Sequence, residues 1–242
     1  MGDSVLKNKP LLASLFINVI VIVALILLAL RYDLPSKALN LVNPSESTHD
    51  YLSNKEYEER NAVFEGIQIQ ENSVIFIGDS QVHRGPWNEI IKNIHVVNRG
   101  INSDTTEGVL NRLDDVIEAE PKEIYLLIGI NDLRYEVPSD KMLDNYKEIL
   151  SRIQENIPTT DVKVVSLLPV NEDILEDVRA VENESIIKAN KGIENLVSQY
   201  NYQYVDVYSK LTKDGQLDEA LTYDGLHLNG NGYKVLVKYI SE

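Results

Sequence analysis

Residues 73–80 read Ser73-Val74-Ile75-Phe76-Ile77-Gly78-Asp79-Ser80, a short apolar run that stops at a glycine, a carboxylate and a hydroxyl. A run that short, rich in β-branched and aromatic side chains, has the composition of a strand buried on both faces of a parallel sheet. In open α/β sheets, ligands bind in the crevice outside the carboxyl ends of the strands. A serine set directly after such a strand is presented to a cleft, which makes Ser80 a candidate nucleophile. The plainer reading is a turn leading into a helix cap, because Gly, Asp and Ser dominate turns and Ser caps helices well. The same tripeptide occurs at Gly2-Asp3-Ser4 with no strand before it, and there it carries nothing. Partners for Ser80 elsewhere in the chain decide between the two.

Downstream of Asn72 the pattern is regular. Apolar runs at 74–77, 95–98, 124–128, 162–168 and 204–207 alternate with amphipathic segments at 105–118, 139–156 and 177–200, and a last helix follows Asn229. This alternation predicts βαβ units, hence an α/β fold with a parallel sheet and helices on both faces. Upstream the chain changes character. Residues 10–30 (PLLASLFINVIVIVALILLAL) carry no charge, and about 21 residues at 1.5 Å rise span roughly the 30 Å hydrocarbon core of a bilayer. The stretch exceeds a signal-peptide core and no small-x-small cleavage site follows before Arg31, so it reads as one uncleaved transmembrane helix. Leu6, where myristoylation expects Ser or Thr, excludes that lipid anchor. Lys7 and Lys9 precede the helix and Arg31 and Lys37 follow it, a near balance. A first helix with a short basic N-terminal flank most often leaves its domain outside the cytoplasm. The organisation expected is a short flank at 1–9, a membrane anchor at 10–30, a polar stalk at 31–71 with a helix-forming part, and the α/β domain at 72–242.

Composition removes several function classes. The 242 residues carry a formal net charge of -15, which opposes binding to nucleic acid, whose phosphates demand basic patches. No cysteine is present, so disulfides, thiolate nucleophiles and Cys-based zinc sites are all absent. Neither a Gly-rich phosphate loop nor a basic anchor follows the first strand, which argues against nucleotide binding.

Four short clusters follow apolar runs or open helices, and their residue types complement one another. The first ends at Ser80. The second is Val97-Asn98-Arg99-Gly100-Ile101-Asn102, the third Leu127-Ile128-Gly129-Ile130-Asn131-Asp132, the fourth Tyr223-Asp224-Gly225-Leu226-His227-Leu228-Asn229. Acyl transfer by a serine needs a base, a group that orients the base, and donors for the oxyanion. His227 suits the base, and Asp224, three residues earlier, can turn back to orient it. The backbone N–H groups of Ser80 and Gly100 and the Asn131 amide suit the oxyanion. His83 and His95 are rival bases, but neither comes with a carboxylate-Gly-x-His arrangement.

The order Gly78-Asp79-Ser80, Gly100, Gly129-Ile130-Asn131-Asp132 and Asp224-Gly225-Leu226-His227 resembles the four blocks of the SGNH (GDSL-type) hydrolase family. The stretch from Asn98 to Thr106 further resembles its lysophospholipase/acetylhydrolase-like branch. The resemblance implies a three-layer α/β/α flavodoxin-like domain that hydrolyses esters with no metal or cofactor. It makes Ser80 the nucleophile, Ser80, Gly100 and Asn131 the oxyanion hole, and Asp224 and His227 the rest of the triad. Two features depart from the family. Gln81 stands where Leu or Ile commonly follows the serine, which predicts a more polar pocket, and the anchor and stalk lie outside the family domain. The expectation is a membrane-anchored, extracytoplasmic serine esterase whose substrate is a small-molecule or glycan ester, with short acyl groups such as O-acetyl on an envelope or extracellular glycan. A lysophospholipase is the alternative within enzymes. A catalytically silent, membrane-tethered glycan-binding protein is the alternative from another class.

Overall fold

Strand β1 (Val74–Gly78) is buried along its whole length, as a two-faced strand must be. Its neighbours are β2 (Val96–Gly100) on one side and β3 (Glu123–Leu127) on the other, followed outward by β4 (Asp161–Val165) and β5 (Gln203–Val205). All four pairings are parallel and the order is β2-β1-β3-β4-β5. That is the flavodoxin-like order, in which the crevice opens at the switch point between β1 and β3. Ser80 therefore lies where the strand order reverses. A computed structural model describes residues 55–92, 94–176 and 181–241. The expected anchor at 10–30 and the first part of the stalk lie outside the described residues, among which no helix is long and apolar enough to cross a membrane.

The period-2 alternation of strands sends successive side chains to opposite faces. Ile75, Ile77, Ile124, Leu126, Val162 and Val164 fill one core. Over it pack α4 (Thr106–Asn111), α5 (Asp114–Glu118), α7 (Ser139–Asn156) and α8 (Asn183–Val197), through residues such as Val109, Val116, Tyr146 and Ile193. Val74, Phe76, Tyr125, Leu127, Val165 and Val205 fill the other. Trp87 of α3 (Trp87–Ile90) and Tyr233 and Leu236 of α10 (Gly230–Ile240) cover that side, with Phe76 stacked on Trp87 at 4.2 Å. The result is three layers. Full burial of each such aliphatic side chain contributes about 1.5–3 kcal/mol, which is how this cysteine-free domain holds by packing alone.

The remaining elements are α2 (Ser80–His83), α6 (Ile130–Arg134), α9 (Tyr208–Leu211) and a two-stranded ribbon, β6 (Thr212–Lys213) with β7 (Gln216–Leu217). Helix α1 (Lys55–Glu65) falls within the stretch read as stalk. It packs on the domain: Phe64 is buried, and Tyr57 donates its O–H to the Gly108 carbonyl at 2.9 Å.

Candidate active site

Strand β1 delivers Ser80 to the first position of α2. Asp79 caps that helix by accepting from the Gln81 N–H at 2.9 Å, so the serine's backbone is fixed by the helix it begins. The loop before α10 delivers His227. An antiparallel bridge between Thr222 and Leu228 closes this loop at its neck, and Asn229 both caps α10 and donates to the carbonyls of Ala220 and Thr222. Within it Gly225 has φ 84, and a Cβ there would meet the Asn171 carbonyl oxygen at 2.8 Å, so both conformation and space require glycine.

These two deliveries converge. Ser80 Oγ lies 2.9 Å from His227 Nε2, across 147 residues of sequence, and His227 Nδ1 lies 2.7 Å from Asp224 Oδ2. An ionised carboxylate can only accept, so Nδ1 carries the proton and Nε2 presents its lone pair to the serine hydroxyl. The other Asp224 oxygen accepts from the N–H groups of Leu226 at 3.0 Å and His227 at 2.7 Å, which locks the carboxylate against the imidazole.

Asn131, at the end of β3 in α6, lines the same cleft. Its Nδ2 donates to the Asp104 carbonyl at 2.9 Å and its Oδ1 accepts from Arg134 Nη1 at 3.0 Å, which fixes the amide and leaves one Nδ2 proton for a ligand. Gly100 is placed differently. Its N–H donates to Asn98 Oδ1 at 2.9 Å, and that side chain in turn donates to the carbonyls of Val82 and His83 at the end of α2. A Cβ at Gly100 would meet the His83 nitrogen at 2.1 Å, so the residue lets α2 lie against β2. Three residues on, Ser103 lines the cleft with φ 61. Residue type alone does not single it out. The signal was the turn-forming run Asn102-Ser103-Asp104 directly after a strand.

The rival histidines sit elsewhere. His83 Nδ1 contacts the Gly100 carbonyl at 3.2 Å, and His95 is exposed ahead of β2. Gln81 does not make the pocket polar: it is buried and turned toward the backbone of the histidine loop. Polarity comes instead from Arg84, Asn102, Arg134 and Glu176, which with Ile174, Leu175 and Tyr223 border a cleft of about 500 Å³ around the Ser80–His227 pair. Among the described residues no group of three or more His, Asp or Glu side chains is placed to hold a metal ion.

Residues 76–235 match the model of the GDSL-like Lipase/Acylhydrolase family. The chain belongs to that family. Platelet-activating factor acetylhydrolase IB subunit alpha2 of Rattus norvegicus is 29% identical over 182 residues, spanning 72% of this chain and 76% of the relative. A solved structure from Streptococcus pneumonia, provisionally described as a platelet activating factor, aligns with a TM-score of 0.73 at 32% identity over 85% of this chain and 97% of its own. Axe2, an acetylxylan esterase from Geobacillus stearothermophilus, aligns with a TM-score of 0.55 at 18% identity over 72% of this chain and 94% of its own, a likeness of fold alone.

The electrostatics of this GDSL-like hydrolase separate the His227 imidazole from the carboxylates beneath it. Burial holds His227 below its ordinary value against the pull of Asp224, and Arg84 and Arg134 push the same way as burial. Burial pushes Asp224 up, but its bonds from the His227 ring and from the His227 and Leu226 N–H groups outweigh that and leave it lowered. The imidazole is thus neutral and ready to accept a proton, beside an ionised partner. Below them Asp79 is pushed up to about 7 by burial, with Asp104 and Asp132 adding to it. Asp132 is raised to about 6 by burial, while Thr106 donates to it through Oγ1 and N–H.

Proposed function

We propose that this chain is a serine esterase that removes short acyl groups from a polar alcohol. The relay Ser80–His227–Asp224, with contacts of 2.9 and 2.7 Å at the floor of an open cleft, carries the reading. His227 Nε2 takes the Ser80 proton as Oγ attacks the ester carbonyl, and gives it to the departing alcohol. Water, deprotonated in turn by His227, attacks the acyl carbon and breaks its bond to Ser80 Oγ, which recovers the proton from His227 as the acid leaves. The oxyanion is received by the N–H groups of Ser80 and Ser103 and the Asn131 amide. Ser103 replaces Gly100 in this role because it borders the cleft, whereas the Gly100 N–H is held by Asn98.

A polar lining favours a polar alcohol and a short acyl chain, since a long chain needs apolar wall to replace water. The name of an acetylhydrolase among the similar proteins supports the same choice. With the charge-free stretch at 10–30, this leads us to a single-pass membrane protein whose domain faces outward and deacetylates an envelope or extracellular glycan. The test is hydrolysis of p-nitrophenyl esters and acetylated sugars by the wild type and Ser80→Ala. Expected are a preference for acetyl over long acyl groups and loss of about 10³-fold or more in kcat in the variant. Equal turnover by Ser80→Ala would remove the nucleophile, and a preference for long chains would favour a lysophospholipase.

A further inference from the structure

Gln81 follows the nucleophile directly, and its backbone is held on both sides. Its N–H donates to Asp79 Oδ1 at 2.9 Å and its carbonyl accepts from the Tyr233 hydroxyl at 2.8 Å. From this fixed base the side chain crosses to the loop that carries the catalytic histidine. Nε2 donates to the Leu226 carbonyl at 2.7 Å and Oε1 accepts from the Leu228 N–H at 3.4 Å. The two groups lie on either side of His227 in the chain. A side-chain amide offers a donor and an acceptor at fixed spacing without charge, so it can satisfy both; Leu or Ile satisfies neither. The contacts are buried, and an unpaired carbonyl there would be costly. Arg84, just past the far end of α2, also reaches this loop through the Tyr223 hydroxyl, but that pair is exposed.

We infer that Gln81 is a positioning residue: it ties the histidine loop to the nucleophile's helix and so sets the distance between Ser80 Oγ and His227 Nε2. The inference rests on the esterase reading above. Thr222 supplies a complementary hold, donating its hydroxyl to the His227 carbonyl at 2.7 Å, but from within the same loop. Asn171 holds the loop from another side, its N–H donating to the Gly225 carbonyl at 2.8 Å, while the Gln81 bonds tie it to the helix that the serine begins. Proton transfer depends steeply on that spacing, and a displacement of about 1 Å can cost about 100-fold in rate.

The experiment compares wild type, Gln81→Leu and Gln81→Glu by the rate of Ser80 labelling with a fluorophosphonate probe, by kcat and KM on p-nitrophenyl acetate, and by thermal midpoint. All rates are expressed per labelled serine, so a misfolded fraction does not count. Gln81→Leu loses both bonds; Gln81→Glu keeps the size and the acceptor but sets a carboxylate oxygen against the Leu226 carbonyl. Both are expected to lose about 10- to 100-fold in kcat and in labelling rate, with KM changed by less than about threefold. In Gln81→Leu the acid limb of kcat/KM should also move to higher pH. A loosened loop hydrates His227 and relieves the burial that lowers it, whereas Asp224, Arg84, Arg134, Tyr223 and Glu176 still surround it. In a His227→Ala background the Gln81→Leu loss should vanish, because the contact acts through the imidazole. Wild-type rates per labelled serine in both variants, or an undiminished loss without His227, would overturn the inference. Failure of the wild type to label at all would instead remove the esterase reading on which it rests.

Discussion

Asn131 is committed before any substrate arrives: one amide proton goes to the Asp104 carbonyl, the oxygen is held by Arg134, and one proton is left over. A donor fixed in this way needs no reorganisation when negative charge develops, which is where such groups gain their effect. Asn131→Ala is expected to lower kcat by about 10²–10³ while KM and the circular dichroism spectrum change little. A loss confined to KM would show that the amide holds the ground state only. At this scale the sequence pointed to Ser80, Asn131, Asp224 and His227 by their side chains, and the structure sets all four on one cleft. Backbone donors are harder to read from residue types. Gly100 and Ser103 differ by which N–H is already bonded and which lies in a positive-φ turn, and residue type encodes neither. Gln81 was legible as an anomaly, but its meaning depended on a loop 147 residues away.

Helix α1 makes the corresponding point for elements. The guanidinium groups of Arg60, Arg99 and Arg112 lie 4.8, 4.5 and 5.7 Å from the centre of the Phe64 ring. Arg112 then pairs with Asp104 at 2.7 Å, whose carbonyl holds Asn131. A segment before the family-matched residues 76–235 thus buttresses the loop that follows β2. Phe64→Ala should destabilise the domain by about 3 kcal/mol or more, and lower the thermal midpoint by about 6–12 °C. A shift of less than about 2 °C would mean that α1 is docked only loosely. The strands were readable from their apolar runs, because two-faced burial leaves little room for polar residues. Their ends were not. The run 162–168 continues past β4 because the backbone of Leu167 and Val170 pairs with the side-chain amides of Asn190 and Asn183 on α8 rather than with a strand. The single helix expected at 105–118 divides into α4 and α5, and Arg112 at the break turns inward to Asp104 and the Gly78 carbonyl.

The molecule as a whole stores carboxylates under its active site, and this has a consequence for stability. Asp79, at about 7 in the folded state, lies well above the ordinary aspartate value of about 3.9. Between those values the folded protein keeps a proton that the unfolded chain has released, so stability present below about pH 4 is lost as pH rises through about 7. Asp132, at about 6, has the same sign. Asp79→Asn keeps an acceptor for the Gln81 N–H and removes that titration. Its thermal midpoint should fall less than that of the wild type between about pH 5 and about pH 8; equal slopes would show that Asp79 is ionised throughout. All of this surrounds one convergence, of a hydroxyl with an imidazole held by a carboxylate. The most direct test is to react the wild-type chain with a fluorophosphonate and map the adduct by peptide mass spectrometry. The account predicts one phosphonyl group per chain, on Ser80, with labelling slowed by orders of magnitude in His227→Ala. A folded chain that takes no label, or takes it on another residue, would contradict it.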